Sequence, residues 1–238
     1  TGMFAQGKNV ENFEKLVAEY CNVKHAIATS SGGTAVEVAL MATGIKNKKF
    51  IVCTQTFVVS ISAIIRSGNI PVIVDMDEKS QANIIAKHID SDTAGVMLVH
   101  MAGHITSDYK EIQHLCRENN LLLVEDAAHA VGASIDGNKA GSIFDVGTFS
   151  FFPTKIVTTG EGGVITTNDD EIAEQARIIR NYGCKDYRAN CTHISNNFKM
   201  QELSAVLGIT QIRRIDEFIS KRNVLADRYY TNLKSLKS

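Results

Sequence analysis

One lysine lies in a setting that suits covalent chemistry. Lys155 follows the aromatic stretch 147–153 and precedes the glycine-rich turn 160–163. An amine held among apolar groups has a lowered pKa and becomes a nucleophile for Schiff-base chemistry. Most lysines are instead solvated surface residues, but the dense glycine and aromatic flanks favour the reactive role here. The hydroxyls of Ser150 and Thr154 could bind a phosphate beside it.

The turn at 30–34 is a second segment that could bind a ligand. Its sequence, Ser-Ser-Gly-Gly-Thr, follows a predicted strand and opens an apolar helix over 35–41. A glycine-rich turn into a helix leaves backbone N–H groups free, and the helix dipole adds attraction for a phosphate. Glycine and serine also build ordinary strand-to-helix turns, so a phosphate cradle and a structural turn both fit this segment taken alone.

A carboxylate follows the apolar stretch 121–124, in the run Glu125-Asp126-Ala127-Ala128-His129. At the end of a strand, Asp126 could pair with a buried cationic nitrogen and keep its proton bound. The alternative is that Asp126 caps a following helix, and this is the favoured interpretation of the segment by itself.

The elements that position these segments alternate between strands and helices. Nearly continuous apolar runs predict strands covered on both faces, at 25–29, 50–53, 71–74, 96–100, 121–125, 147–151 and 163–167. Helical spacing lies at 10–20 and 107–119, and 168–171 is typical of a helix start with Asn168 as its cap. This alternation predicts an α/β domain around a mostly parallel central sheet flanked by helices. Ligands in such sheets bind at the carboxyl ends of the strands.

The tail, residues 200–236, is predicted to form one or two long helices, and the polar loop before it predicts an N-capped helix start within 195–203. The expected apolar stripe consists of Leu203, Val206, Leu207, Ile212, Ile215 and Phe218.

Composition and charge exclude several classes of protein. The chain has 238 residues and a formal net charge of −1, so no overall field favours nucleic acid or an anionic membrane. No apolar run reaches the roughly 20 residues that span a membrane. The start, Thr1-Gly2-Met3-Phe4, does not have the pattern of a signal peptide.

The five cysteines include no CxxC pair, and three of them, Cys21, Cys53 and Cys116, fall in apolar patterns typical of buried free thiols. Cys184 and Cys191 lie seven residues apart in a polar stretch. A disulfide or metal role for this pair is the disfavoured alternative, because no second pair completes a metal site. We therefore predict free thiols, no metal site and a reducing, cytoplasmic location.

Taken in order, these segments resemble the DegT/DnrJ/StrS family of pyridoxal-phosphate (PLP)-dependent sugar aminotransferases, which have the aspartate-aminotransferase-like fold (fold type I). The resemblance runs from Gln6 to about Leu236. It rests on Ser-Gly-Gly-Thr at 31–34, Thr-Phe-Val at 56–58, Asn-Ile-Pro-Val-Ile-Val-Asp at 69–75, Val99-His100 with Gly103, Glu-Asp-Ala-Ala-His-Ala at 125–130, Ser-Phe-Phe-Pro-Thr-Lys at 150–155, Gly-Glu-Gly-Gly at 160–163, Arg-Asn-Tyr-Gly at 180–183 and Asn-Phe-Lys-Met-Gln-Glu-Leu at 197–203. Each motif is ordinary alone, but all of them in this order are specific.

The resemblance implies roles around the cofactor ring. Lys155 would hold PLP as a Schiff base and later shuttle protons. Asp126 would pair with the pyridine nitrogen, His129 would lie beside the ring or its 3-oxygen, and Phe57 would stack on the ring face.

It also implies a phosphate site. The amides of Gly33 and Thr34 and the hydroxyl of Ser150 would bind the phosphate, with either Gly33 or Thr34 as the main amide donor. Asn197 would reach the phosphate of a neighbouring subunit, so the active unit would be a homodimer with shared sites. Lys199 stands where the family usually has arginine and Ser195 where glycine is common, so a point charge replaces a bidentate fork.

The implied reaction transfers an amino group from glutamate or glutamine to a nucleotide-linked keto-sugar, for polysaccharide or natural-product biosynthesis. One alternative is a PLP-dependent sugar dehydratase, but those enzymes carry histidine at the position of Lys155. Another is a non-catalytic dimerising or sensing module, which the retention of Lys155 and Asp126 disfavours. A simple nucleotide-binding domain would need a G-x-G-x-x-G turn that 30–34 does not supply.

The resemblance also predicts the domain organisation. Residues 1–200 would form the PLP-binding large domain, and 201–238 would form a long helical segment that leads toward a C-terminal small domain missing from this chain.

Overall fold

A seven-stranded sheet forms the centre of the structure, a computed structural model that describes residues 2, 4–76, 80–186, 189–234 and 236. The strands are β1 His25–Thr29, β2 Lys49–Cys53, β3 Ile70–Val74, β4 Thr93–Val99, β5 Leu122–Asp126, β6 Ser134–Ile135, β7 Asn138–Lys139, β8 Val146–Ser150, β9 Gly163–Thr167, β10 Cys184–Asp186 and β11 Ala189–Cys191. The central sheet has the order β1-β9-β8-β5-β4-β2-β3, while β6–β7 and β10–β11 are separate two-stranded hairpins.

Strand direction makes this sheet mostly parallel, as the sequence predicts. β8, β5, β4, β2 and β3 run parallel, and β9 is antiparallel to both of its neighbours. The carboxyl ends of β1, β2, β4, β5 and β8 therefore meet at one edge of the sheet. The seven predicted strands are all present, with bounds that differ by up to three residues. The two hairpins were not predicted, because their strands are too short to show a periodic pattern.

Helices flank the sheet: α1 Lys8–Cys21, α2 Gly32–Ala42, α3 Val58–Arg66, α4 Gln81–Ala86, α5 Tyr109–Glu118, α6 Asp170–Arg180, α7 Glu202–Ile212 and α8 Ile215–Leu233, with a short 3-10 turn at Met101–Gly103. α2 packs against α3 and α6, α1 packs against α7, and α4 packs against α5. The helices α2, α3, α4 and α5 follow β1, β2, β3 and β4, so their N-termini lie near the sheet edge described above. α6 follows the antiparallel strand β9 and begins at the opposite edge, where Asp170 contacts His25.

The predicted stripe on the tail is partly wrong. Leu203 is 74% exposed, and Val206 and Leu207 are also exposed, whereas Ala205, Ile209 and Ile212 are buried in the core with α1. Small residues face α1 because the two helices approach closely: a Cβ at Gly208 would lie 2.7 Å from Phe13. Apolar spacing alone could not choose between two neighbouring faces of the same helix.

Two predicted helix caps also differ from the structure. Asp169, not Asn168, caps α6, and its carboxylate accepts hydrogen bonds from the N–H groups of Glu171 and Ile172 at 2.8 and 2.9 Å. The start of α7 has Gln201 at the cap position with no side-chain hydrogen bond. The Glu202 carboxylate instead serves the start of α1, accepting from Gly7 N–H at 2.8 Å and Val10 N–H at 3.0 Å.

The cysteine prediction is half right. Cys21, Cys53 and Cys116 are buried free thiols, as predicted. Cys184 and Cys191 were expected to be free, but they lie opposite each other in the β10–β11 hairpin and form a disulfide, with 3.8 Å between their Cα atoms. Their pairing depends on the hairpin register, which the polar sequence of this stretch did not reveal.

Within the described parts of the chain, no helix combines the length and the apolar character needed to cross a membrane.

Candidate active site

Asp126 is the buried carboxylate at the sheet edge. It ends β5, where its side chain is 6% exposed. Its Oδ2 accepts a hydrogen bond from the Ser60 hydroxyl at 2.6 Å, and its Oδ1 accepts from the Ala128 N–H at 3.1 Å. Turns follow Asp126 rather than a helix, so the interpretation of Asp126 as a helix cap is wrong.

Lys155 lies in a turn after β8, where its N–H donates to the Phe152 carbonyl at 3.0 Å. The side chain is partly buried, and loss of water around the ammonium lowers its pKa, while the negative charge of Asp126 acts in the opposite direction. A base with a lowered pKa carries a larger fraction of free amine near neutral pH, which is the nucleophilic form.

His129 follows β5 and is affected by the charges of both Lys155 and Asp126. Desolvation lowers its pKa first, the charge of Lys155 lowers it further, and Asp126 raises it. Its Nδ1 accepts a hydrogen bond from the Ala102 N–H at 3.3 Å. An imidazole that accepts at Nδ1 carries its proton at Nε2, so His129 is a neutral ring with a donor at its free nitrogen.

The turn that serves His129 has an unusual backbone. Ala102 has a φ of 54°, in the left-handed region, and Gly103 follows with a φ of 82°. A Cβ at Gly103 would lie 3.1 Å from the His129 carbonyl, so glycine lets the two chain segments approach closely.

The N-terminus of α2 offers backbone donors at the same sheet edge. Ser31 caps the helix: its Oγ accepts from the Thr34 N–H at 3.2 Å, and the Thr34 hydroxyl accepts from the Ser31 N–H at 3.0 Å. Thr34 is therefore engaged inside the turn. The N–H groups of Gly32 and Gly33 precede the first intrahelical bond and donate to no other described residue.

Ser150, at the end of β8, packs directly against this turn. A Cβ built on Gly32 would lie 2.5 Å from the Ser150 Cβ and 2.9 Å from its Oγ. Only glycine permits this approach, which places the Ser150 hydroxyl beside the free amides of α2. Two N–H donors, a hydroxyl and the positive end of a helix dipole form a site suited to a phosphate. Thr154, the other hydroxyl considered, is exposed.

Phe57 precedes α3 and is 68% exposed. Val59, two residues after Phe57, packs close to Gly33: a Cβ built on Gly33 would lie 3.2 Å from the Val59 side chain. The start of α3 therefore packs against the start of α2. The exposed aromatic ring therefore lies at the rim of the site rather than in the core.

Asn197 lies on a segment that runs beside the start of the 30–34 turn, where the Ser30 N–H donates to the Phe198 carbonyl at 2.8 Å. Asn197 itself pairs with Asn181 in an isolated antiparallel bridge. No hydrogen bond among the described residues joins its side chain to Asp126 or Lys155. Its neighbour Lys199 stacks over the Tyr182 ring at 3.9 Å, at the edge of a separate cavity of about 780 Å³. Desolvation, followed by the charge of Arg180, lowers the pKa of Lys199.

Sequence reasoning missed two residues of this site. Ser60 lies in the first turn of α3, four residues after Thr56, and its local sequence shows no sign of a role in the site. Gly32 was named only as part of the turn, and its close approach to Ser150 needed the tertiary structure. No local pattern could show that Ser60 meets a carboxylate 66 positions away.

The assembled residues fit PLP. Free amides and a hydroxyl suit its phosphate, a buried carboxylate suits its ring nitrogen, and an amine of lowered pKa suits its aldehyde. Phe57 and His129 offer flat rings beside the same edge. A mostly parallel sheet with these residues at the carboxyl ends of its strands is the arrangement of the PLP-binding α/β class of proteins.

The chain belongs to the DegT/DnrJ/EryC1/StrS aminotransferase family, which it matches over residues 1–238. Among curated proteins, a GDP-perosamine synthase of Caulobacter vibrioides is 40% identical over 241 residues, which covers 99% of this chain and 65% of that protein. Among solved structures, the match to DesV of S. venezuelae, in complex with a ketimine intermediate, has a TM-score of 0.94 and 31% sequence identity. It covers 100% of this chain and 65% of the DesV chain. NtdA of Bacillus subtilis, with bound cofactor PMP, has a TM-score of 0.90 and 29% sequence identity. The match covers 99% of this chain and 55% of the NtdA chain. This chain thus spans about two thirds of the length of the curated relative.

Proposed function

We propose that this chain is the PLP-binding part of a sugar aminotransferase. In two half-reactions, the enzyme takes an amino group from glutamate or glutamine and delivers it to the ketone of a nucleotide-linked keto-sugar. The observation that carries the proposal is that Asp126 and His129 follow β5, Lys155 follows β8 and the free N-terminus of α2 follows β1, all at the edge where the carboxyl ends of these strands lie. The nucleotide-sugar substrate is supported by the name of the Caulobacter relative.

When bound, PLP supplies an electron sink for negative charge that develops beside the amino group. The Asp126 carboxylate accepts a hydrogen bond from the protonated ring nitrogen, and its negative charge keeps that nitrogen cationic. Burial of Asp126 strengthens this interaction, since little water competes with it.

Lys155 provides the amine that bonds the cofactor and the base that moves the proton. Its lowered pKa favours both roles, because the uncharged Nζ is the nucleophile and the proton acceptor. His129, neutral and protonated at Nε2, donates a hydrogen bond toward the ring region.

The phosphate is held by the amides of Gly32 and Gly33 and the hydroxyl of Ser150. Engagement of the Thr34 N–H by Ser31 favours Gly33 over Thr34 as the main amide donor. Phe57 covers one face of the ring. Asn197, whose side chain makes no hydrogen bond to Lys155 or Asp126 among the described residues, serves the site of a partner chain in a homodimer.

The domain division stays a prediction, with 1–200 binding PLP and 201–238 leading to a small domain. Burial of Ala205, Ile209 and Ile212 in one core with α1 weighs against a boundary directly before α7. A cytoplasmic location also stays a prediction; three free buried thiols favour it, and the Cys184–Cys191 disulfide weighs against it.

The test is the visible absorption of the purified chain with added PLP, before and after L-glutamate. We expect a band that Lys155→Ala abolishes, that Lys8→Ala leaves intact as a matched surface control, and that bleaches with glutamate. A band that ignores glutamate would reject glutamate as donor. A wild-type protein with no Lys155-dependent band would reject the cofactor and favour a non-catalytic module.

A further inference from the structure

Two hydroxyl groups lie behind Asp126 in a chain of short hydrogen bonds. The Thr56 Oγ1 is 2.7 Å from the Ser60 Oγ, and the Ser60 Oγ is 2.6 Å from the Asp126 Oδ2. Ser60 is 0% exposed and Asp126 is nearly so, so water does not substitute for either bond.

The carboxylate of Asp126 fixes which hydroxyl donates in each of the two hydrogen bonds. An ionised carboxylate accepts only, so Ser60 must donate its proton to Asp126. A hydroxyl has one proton, and Ser60 can therefore meet Thr56 only as an acceptor, with Thr56 donating. Each donor polarises the next, which strengthens the final bond to the carboxylate.

The same chain of hydroxyls joins two parts of the site that come from different elements. Thr56 and Ser60 bracket Phe57, and the Ser60 N–H donates to the Phe57 carbonyl at 3.1 Å. The turn that presents the aromatic ring is thus tied to the strand end that presents the carboxylate. With Ala128 N–H on Oδ1, the Ser60 hydroxyl holds both oxygens of Asp126 and prevents rotation of the carboxylate plane.

We propose that Ser60, supported by Thr56, is a positioning residue that sets the orientation of the Asp126 carboxylate toward the cofactor ring and couples it to Phe57. This inference rests on the proposed function, since it specifies how one of its binding residues is held. It assigns a role to a fully buried hydroxyl that touches neither the reacting amine nor the phosphate site among the described residues.

The experiment compares Ser60→Ala, Thr56→Val and Ser62→Ala. Ser62 is the matched control, because it lies on the same helix and its hydroxyl donates, among the described residues, only to the Val59 carbonyl at 3.1 Å. For each variant we would measure the PLP dissociation constant and the visible circular dichroism per bound PLP, which reports how the ring sits in its asymmetric site. Denaturant unfolding without PLP would test for a general loss of fold.

We expect Ser60→Ala to weaken PLP binding roughly 10-fold, as for the loss of a hydrogen bond to a charged group, and to change the circular dichroism. Thr56→Val should act in the same direction with a smaller change of about 3-fold, and Ser62→Ala should match the wild type. In an Asp126→Ala background, Ser60→Ala should have no further effect, because the group it positions is gone.

Wild-type affinity and circular dichroism in both Ser60→Ala and Thr56→Val would overturn the inference. An equal loss in Ser62→Ala, or an undiminished Ser60→Ala effect in the Asp126→Ala background, would overturn it too. If Ser60→Ala fails to fold, the PLP affinity and circular dichroism of Thr56→Val decide whether the inference stands. A wild-type chain that binds no PLP through Lys155 would reject the proposed function, and the inference would fall with it.

Discussion

Glu125 and Asp126 are neighbours on one strand, and both carboxylates are buried, yet they serve different purposes. Glu125 accepts hydrogen bonds from the N–H groups of Gly141, Ile143 and Phe144 at 2.7–2.9 Å, and its Oε2 lies 3.1 Å from His100 Nε2. Asp126 accepts only from Ser60 and Ala128 among the described residues, and its charge raises the pKa of both Lys155 and His129.

The difference arises from strand geometry. Successive side chains point to opposite faces of a sheet, so adjacent acids meet different partners. A carboxylate can accept about four hydrogen bonds. Glu125 uses its capacity to hold the 141–144 loop, whereas Asp126 keeps capacity for a ligand. Burial alone therefore does not mark a functional acid; unfilled acceptor capacity beside an amine does.

Two helix starts repeat this contrast. The start of α1 is occupied by the protein's own Glu202 carboxylate, which accepts from Gly7, Asn9 and Val10. The start of α2 leaves the Gly32 and Gly33 amides open. A helix dipole attracts an anion in both places, and only the second remains available for one from outside.

Removing the structural acid should have the largest effect on stability. Glu125→Ala removes the acceptor of the N–H groups of Gly141, Ile143 and Phe144, two of them buried, and the partner of the His100 imidazole. We expect it to lower the free energy of unfolding by about 3–5 kcal/mol. Urea unfolding of the chain without PLP measures this. Glu118→Ala, on an exposed helix end, should stay within about 0.5 kcal/mol. A Glu125→Ala protein as stable as the control would remove the distinction between the two acids.

Changing the functional acid should spare the fold and damage the chemistry. Asp126→Asn keeps the shape and an acceptor for Ser60, but removes the charge. We expect the rate of glutamate-dependent bleaching to fall roughly 10²- to 10³-fold, as for loss of one preorganised electrostatic contact. Stopped-flow absorbance gives the rate, and the urea midpoint should change little. Near-wild-type bleaching would mean that Asp126 is structural, like Glu125.

The open helix start can be tested with a single methyl group. Gly32→Ala places a Cβ 2.5 Å from the Ser150 Cβ, whereas Gly33→Ala meets the Val59 side chain at 3.2 Å. Overpacking of this kind costs about 1–3 kcal/mol, so Gly32→Ala should weaken PLP binding roughly 10-fold or more and Gly33→Ala less. Titration with PLP measures both. Equal affinities would show that the Gly32–Ser150 approach does not shape the phosphate site.

The smallest expected effect concerns proton binding at Lys155. Its lowered pKa means that the folded state disfavours the charged form, so stability is reduced at pH values below the folded pKa and recovers as pH rises toward the ordinary value of 10.5. Trace acetylation of the chain without PLP, followed by mass spectrometry over a pH series, should show Lys155 reacting at lower pH than exposed Lys8. Identical profiles for the two lysines would contradict the effect of burial.

Much of this protein was determined by local sequence. Continuous apolar runs specified seven strands, and their order along the chain with helices between them predicted the mostly parallel sheet. Because the carboxyl ends of such strands share an edge, the sequence alone predicts that the segments with Lys155, Asp126 and the 30–34 turn lie on the same side of the sheet. The family was recognisable from the same segments.

Tertiary structure decided how those residues are used. Ser60 reaches Asp126 across 66 positions, Glu202 reaches Gly7 across 195, and the buried face of α7 is chosen by its fit to Phe13. The Cys184–Cys191 pair is joined by hairpin register. Periodicity depends on neighbours within a few residues, so it specifies elements and their ends. Which donors and acceptors are filled, and which stay open for a ligand, depends on partners that only folding brings together.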